Sequence, residues 1–284
     1  MRIPWKLKSA IFATVDLLSA PTLLYFLQKN VTKRSRTKPL EISDHWKKHA
    51  DSLVKYGATG TIFEFGAGKS LAQNLYLSGF VDKQVVVDLN AMLDLEIVES
   101  ARTLLSKKCR FKSDEAITSL DSLATYGIEY RAPYDASSTD FPDDSINACV
   151  STNTLEHIPE QNIIEIFGEL HRVLRPDGIV SARIDYSDHY AHTDASISLL
   201  NFLKYSESQW RKYNHSCHYQ NRLRHYDYLK IFEQCDFAIL EEELEFNEAR
   251  IPESISRRYT DKPDSWAATS AYFVLRKSKR TQDV

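Results

Sequence analysis

The sequence predicts an α/β protein with a mostly parallel sheet, on three observations. Strand-like and helix-like runs alternate, a glycine turn follows the first strand-like run, and an acidic residue ends the second. In order, Thr61 to Phe65 is a short apolar strand leading into glycines, and Leu71 to Leu77 reads as the helix behind them. Gln84 to Leu89 is the second strand, Gly127 to Tyr130 a weaker third and Ser145 to Ser151 the fourth. Pro159 opens a helix whose Ile163, Ile164, Ile166, Phe167, Leu170, Val173 and Leu174 are read as one face at helical spacing. Pro176, Asp177 and Gly178 read as its stop, with Gly178 as a helix-ending glycine. Gly178 to Ile184 is the fifth strand, and Asp236 to Leu240 and Ala271 to Leu275 close the sheet. The expectation is a doubly wound, mostly parallel seven-stranded sheet. Between strand five and the closing pair, Asp188 to Gln234 is longer than a plain crossover and rich in Tyr, His and Asn. It reads as a helical cap insertion over the substrate.

The 284 residues suffice for one large domain with an appendage, and 43% apolar content supplies a core. The 36 basic residues are balanced by 39 acidic ones, which argues against nucleic acid as a partner. Cys109, Cys149, Cys217 and Cys235 are too scattered for a disulfide framework or a zinc ribbon, so a cytoplasmic location is the simplest. Residues 1–40 form a separate apolar and basic helical segment with a linker at Thr32 to Pro39, and residues 41–284 form the main domain with its cap at 188–234. Asp16 and Pro21 interrupt the apolar run from Ile11 to Leu27, so it is a poor membrane span and a poor secretory signal. Two readings remain: a helix packed on the chain's own core or on a homodimer partner, or a peripheral membrane contact through residues 1–38, where basic residues flank the apolar run.

The turn Glu64-Phe65-Gly66-Ala67-Gly68-Lys69-Ser70 lets a ligand approach the backbone, and Asp88, about 20 residues on, is placed to accept from ribose hydroxyls. Together they point to an adenosine-type cofactor. A phosphate-binding P-loop is rejected because Phe63 stands where its first glycine belongs, and a dinucleotide turn is disfavoured because Leu71 stands where its third belongs.

From Ile62 to Leu240 the chain resembles the class I S-adenosyl-L-methionine (SAM)-dependent methyltransferases, in particular the type-11 family. The resemblance is carried by Glu64 to Ser70 (with Ser70 in place of a glycine), Asp88, Tyr134-Asp135-Ala136, Phe141 to Ser145, Asn153 to Ile158 and Arg172 to Gly178. It implies a Rossmann-like fold and SAM as cofactor. Glu64, Gly66, Ala67, Gly68, Asp88, Leu89, Asp135, Ala136 and Asn153 are the implied cofactor residues, Asp135 meeting the adenine amino group.

Ligands of open α/β sheets bind beyond the strands' carboxyl ends, so residues after strands four and five should face the methyl group. These include Glu156, His157, Asp185, Asp188, His189 and His192. Transfer to an oxygen needs a base; His189, oriented by Asp188 or Asp194, is the first choice, with His192 and His157 behind it. Asp188, His189, His192 and Asp194 could hold a divalent metal such as Mg²⁺ but match no known ligand spacing, and His215, Cys217 and His218 could bind zinc but lack a fourth ligand, so no metal is assigned. Asn214, Asn221, Arg222 and Arg224 among tyrosines suit a hydroxyl-rich acceptor, the arginines alternatively a phosphate or carboxylate on it. The expected activity is methyl transfer to a small molecule or glycan, on oxygen. The alternatives are nitrogen, carbon or membrane-lipid acceptors, or a SAM-binding scaffold without turnover.

Overall fold

A computed structural model describes residues 4–17, 41–247, 251–260 and 263–278. One sheet holds seven strands: β1 (Thr61–Phe65), β2 (Lys83–Val87), β3 (Ile128–Arg131), β4 (Ile146–Thr152), β5 (Leu174–Asp185), β6 (Phe237–Glu245) and β7 (Ser270–Lys277). Their order is β3-β2-β1-β4-β5-β7-β6. The first five are parallel, and β7 runs antiparallel between β5 and β6. The order reverses between β1 and β4, so the ligand crevice of such a sheet lies beyond the carboxyl ends of these two strands.

Both faces of the sheet are covered. Along β1, Ile62 packs with Ala50 and Leu53 of α2 (Asp44–Lys55) on one side. Phe63 packs on the other with Phe167 and Leu170 of α5 (Glu160–Val173). Alternation of side chains along a strand divides the two cores this way, and burial on both faces explains the nearly continuous apolar strands. Between them in sequence lie α3 (Ala72–Leu77) and α4 (Leu95–Leu105). The sequence reading assigns neither α2 nor α4. For α4 a signal exists, since Asp94 accepts the amides of Glu96 and Ile97 at 3.2 and 3.4 Å and Val98, Ala101 and Leu105 recur on the buried face.

Gly178 is not a helix stop. Helix α5 ends at Val173, and β5 begins at once, pairing Leu174 with Ile146 and then Ile179 with Ala148. Residues 175–178 bulge out between these pairs. A Cβ on Gly178 would stand 3.0 Å from the carbonyl oxygens of Arg175 and Asn147, so close backbone approach selects the glycine.

The segment 188–234 is less helical than a cap was expected to be. It consists largely of turns and short 3₁₀ pieces, followed by α6 (His225–Gln234), which packs on the sheet. Its aromatic residues Tyr190, Phe202 and Trp210 form a cluster completed by Trp5 and Phe12 of α1 (Trp5–Leu17). Asp194 fixes the start of α1 by accepting the Trp5 amide at 2.8 Å, and Asp16 accepts the Ser216 amide at 2.8 Å. The described part of the N-terminal segment therefore packs on the chain's own cap. The rest of the apolar run and the linker at Thr32 to Pro39 lie outside the described residues. Among the described residues, no helix is long and apolar enough to cross a membrane.

Candidate functional site: a cofactor cavity and a histidine cluster

A cavity of about 540 Å³ opens at the carboxyl ends of β1, β2 and β4. Gly66, Asp88, Leu89, Asp135 and Ala136 line it, together with Tyr134, Thr154 and His157. Its volume lies in the range of small-molecule sites. Strand β2 stops at Val87, one residue sooner than the acid it was expected to contain, which leaves Asp88 and Leu89 in the loop that forms the wall.

The Asp88 carboxylate is held from both sides. Its Oδ1 accepts the Gly68 amide at 3.3 Å and its Oδ2 accepts the Tyr130 hydroxyl at 3.0 Å. Burial raises its pKa, and these two hydrogen bonds oppose the rise. A carboxylate has about four acceptor positions, so two remain for a ligand's hydroxyls. Tyr130, which sequence reasoning missed, is the next-to-last residue of β3 and comes beside Asp88 because β2 and β3 pair in register, Val87 against Arg131.

Gly66 adopts φ 76°, and a Cβ there would meet Thr154 Cγ2 at 2.3 Å. Both the left-handed backbone and the approach of the loop after β4 require glycine at this point. Ser70, where the family has a glycine, accepts the Ala72 amide at 3.4 Å, and the left-handed conformation falls on Leu71, at φ 45°. Asp135 uses Oδ1 for the Ser137 amide and hydroxyl at 2.8 and 2.7 Å; its Oδ2 has no protein partner among the described residues.

Other expected cofactor residues stand back from the cavity wall. Glu64 is buried and accepts from Gln73 and Asn74 of α3 at 3.1 and 2.7 Å, which braces the turn. Burial pushes its carboxyl up to about 7 in spite of those bonds. The brace continues inward, from Gln73 to Thr152 at 2.9 Å, Thr152 to His49 at 3.0 Å and His49 to Ser181 at 2.7 Å. Ala67 packs with the core around Leu71 and Val98. Gly68 serves through its amide to Asp88. Asn153 is at φ 52° and receives a hydrogen bond from Arg183.

The acceptor side gathers residues from three segments. His157 stands in the cavity wall, its Nδ1 2.8 Å from the Tyr219 carbonyl oxygen. A carbonyl only accepts, so this contact assigns the ring proton to Nδ1 and leaves a lone pair on Nε2. Desolvation by the surrounding protein lowers the His157 pKa, against the raising effect of the Tyr219 carbonyl. His189 lies one ring further back, with centroids 4.8 Å apart, and stacks on His192 at 4.9 Å. The carboxylate beside both is Asp185, whose Oδ2 is 3.5 Å from His189 Nε2 and 3.6 Å from His192 Nε2. Burial pushes the Asp185 carboxyl up, but hydrogen bonds from His189 and Ser187 outweigh it and hold the group at about 2.

Three expectations are corrected here. Asp188 does not orient His189: it is fully buried and accepts from the Tyr190 amide at 2.9 Å and Asn201 at 3.0 Å. Asp194 is used by α1. Arg222 and Arg224 do not face an acceptor. Arg222 donates to the Phe202 and Tyr205 carbonyls at 2.9 and 2.8 Å, and the fully buried Arg224 donates to the carbonyls of Tyr186, Trp266 and Ala268. Arg222 ties the cap together, and Arg224 fastens it to the segments that follow β5 and precede β7. The planar polar residues beside them are also engaged, Asn221 with the Leu155 and Ile158 carbonyls at 2.8 Å and Asn214 with Gln220 at 3.0 Å.

Residues 65–182 match the model of the methyltransferase domain family. A SAM-dependent methyltransferase from Clostridium acetobutylicum has the same fold, with a TM-score of 0.50, 11% identity, and coverage of 91% of this chain and 98% of the other. A methyltransferase from Leishmania major (TM-score 0.47, 10% identity, 81% of this chain, 71% of the other) and a putative one from Bacillus halodurans (0.46, 15%, 82% and 100%) are also similar. No curated protein matches the sequence. The strand order, the glycine turn with the acid that follows β2 and the domain match define a class I, Rossmann-like methyltransferase fold. Residues 65–182 carry the match to the methyltransferase domain, and the chain is similar to SAM-dependent methyltransferases.

Proposed function

We propose that this protein transfers a methyl group to an oxygen of a small-molecule acceptor, with His157 as the proton acceptor. The observation that supports this most directly is the His157 ring in the cavity wall, its Nδ1 tied to Tyr219 and its Nε2 lone pair available. The role first expected of His189 passes to His157, because His189 sits behind it and pairs with Asp185.

SAM, when bound, supplies an electrophilic sulfonium methyl. The chain's residues do the rest. Asp88 holds the ribose hydroxyls, and the Gly66 turn admits the cofactor closely to the backbone. Asp135 Oδ2 accepts from the adenine amino group. His157 is neutral near pH 7 because its pKa is lowered, and so it is already in the form that takes a hydroxyl proton. The Tyr219 carbonyl keeps the ring's orientation and steadies it when it becomes charged. Alignment of acceptor and methyl supplies the remaining acceleration.

Measuring turnover and S-adenosylhomocysteine affinity in His157→Gln, against a panel of hydroxylated acceptors with labelled SAM, tests the reading. Turnover should collapse while affinity holds. Full turnover in the variant would exclude His157 as the base.

A further inference from the structure

Behind His157, two overlapping triads of metal-ligating side chains share His189. They are Glu156, His157 and His189, and Asp185, His189 and His192; within each triad the donor atoms lie within 4.8 Å of one another. Two donors on a tetrahedral cation, each about 2.1 Å from it, stand about 3.4 Å apart. Asp185 Oδ2 lies 3.5 Å from His189 Nε2 and 3.6 Å from His192 Nε2, close to that spacing; a cation would displace the 2.9 Å contact of His192 Nε2 with Ser187 Oγ.

Glu156 supplies the independent observation. It is 2% exposed, and neither carboxylate oxygen completes a hydrogen bond. The backbone amides of Glu156 and Asp185 offset part of the cost of its burial. Burying a carboxylate without a cation costs several kcal/mol unless it is protonated. His189, in the same triad, is largely buried too, and its Nε2 lies 3.5 Å from Asp185 Oδ2.

We propose that Asp185, His189 and His192 bind one divalent transition-metal cation, with the buried Glu156 carboxylate next to it, across His189. Mixed imidazole and carboxylate donors suit Zn²⁺, Fe²⁺, Co²⁺ or Mn²⁺ better than Mg²⁺ or Ca²⁺. The site has an entrance, since the His192 side chain is 46% exposed whereas His189 is 13% exposed. Through His189, whose ring centroid lies 4.8 Å from that of His157, the cation stands next to the acceptor end of the cavity. It therefore favours acceptors that carry an oxygen donor, a hydroxyl or a carboxylate. This preference rests on the methyl-transfer reading, but the site itself does not.

The test uses the full chain, freed of any affinity tag, stripped with chelator and titrated with Co²⁺ in the visible d–d absorption region and with Zn²⁺ by calorimetry. Wild type should take up about one equivalent and show the intensified absorption of a low-symmetry, nitrogen-ligated Co²⁺. Asp185→Asn and His189→Ala should weaken binding by more than the roughly 10–100-fold that loss of an outer partner costs. His192→Ala, at the exposed edge, should weaken it without threatening the fold. Glu156→Gln should also weaken it, and unaltered binding there would remove the observation that carries the proposal. His171→Ala, at the opposite end of the sheet beside Phe237, should bind as wild type does. S-adenosylhomocysteine titrations of the same samples read the cofactor site separately, so failure of the methyl-transfer reading would leave the metal signal intact. Wild type binding Co²⁺ and Zn²⁺ no better than His192→Ala would overturn the site.

Discussion

The two halves of the ligand crevice are built in different ways. The half beyond β1 and β2, proposed for the cofactor, is built from backbone geometry and one carboxylate: the Gly66 turn, its contact with Thr154, and Asp88 held by Gly68 and Tyr130. The half proposed for the acceptor is built from side chains of three separated stretches, around residues 156–157, 185–192 and 219, which meet only after folding. The shape of the first half comes mainly from the backbone of the turn, braced by Glu64 with Gln73 and Asn74. The second can change its chemistry by changing a few side chains on the same frame. The comparison separates binding from turnover, and it can be broken from either side.

The largest effect should come from the acceptor side. His157→Ala should lower turnover by about 10²–10⁴-fold with S-adenosylhomocysteine affinity unchanged in calorimetry. In the parent enzyme the rate should fall as pH drops through the lowered His157 pKa, so the acid limb should lie below the ordinary histidine value of about 6.5. An equal loss of cofactor affinity in His157→Ala would merge the two halves.

A second effect, on stability, belongs to the cofactor side. Glu64 has a folded-state pKa of about 7, above the roughly 4.3 of an unfolded glutamate. The folded chain therefore binds this proton more tightly. Its contribution to stability is fully present below pH ~4.3, falls as pH rises and is lost above about 7, a change on the order of 3 kcal/mol. In the cofactor-free protein, Glu64→Gln should flatten denaturant-derived stability over that window. A slope identical to wild type would place the buried proton elsewhere.

The smallest effect on either half should come from α1. Removing residues 1–17 uncovers Tyr190, Phe202 and Trp210 in the cap and should lower the melting temperature by several degrees. Cofactor affinity should not change, because the described contacts of α1 lie in the cap. A truncated protein that folds but no longer binds S-adenosylhomocysteine would extend the cofactor half into the N-terminus.

The same division explains what the sequence made legible. Strand β1, the Gly66 turn and Asp88 are local patterns, so their positions could be read to within a residue or two. The face of α5 was equally plain, because Ile163, Ile166, Phe167, Leu170 and Val173 repeat at helical spacing. The role of Gly178 was misread because a bulge is defined by the partner strand, not by its own neighbours. Tyr130 and Thr154 were missed because each acts across a strand boundary. Asp188 seemed the partner of His189 by adjacency, but the turn after β5 points Asp188 into the core and brings Asp185, four residues earlier, beside the ring. Arg222 and Arg224 looked like ligand residues because sequence does not show which carbonyls a guanidinium will meet.

The central claim is that the cavity beyond β1 and β2 binds SAM through Asp88 while the histidine cluster acts only on the acceptor. Calorimetric titration of S-adenosylhomocysteine into wild type, Asp88→Ala and His157→Ala tests it most directly. Wild type and His157→Ala should bind alike, and Asp88→Ala should lose about 1.5–3 kcal/mol for each hydrogen bond to the carboxylate that is removed. Unchanged affinity in Asp88→Ala, or heat with NAD and none with S-adenosylhomocysteine, would contradict it.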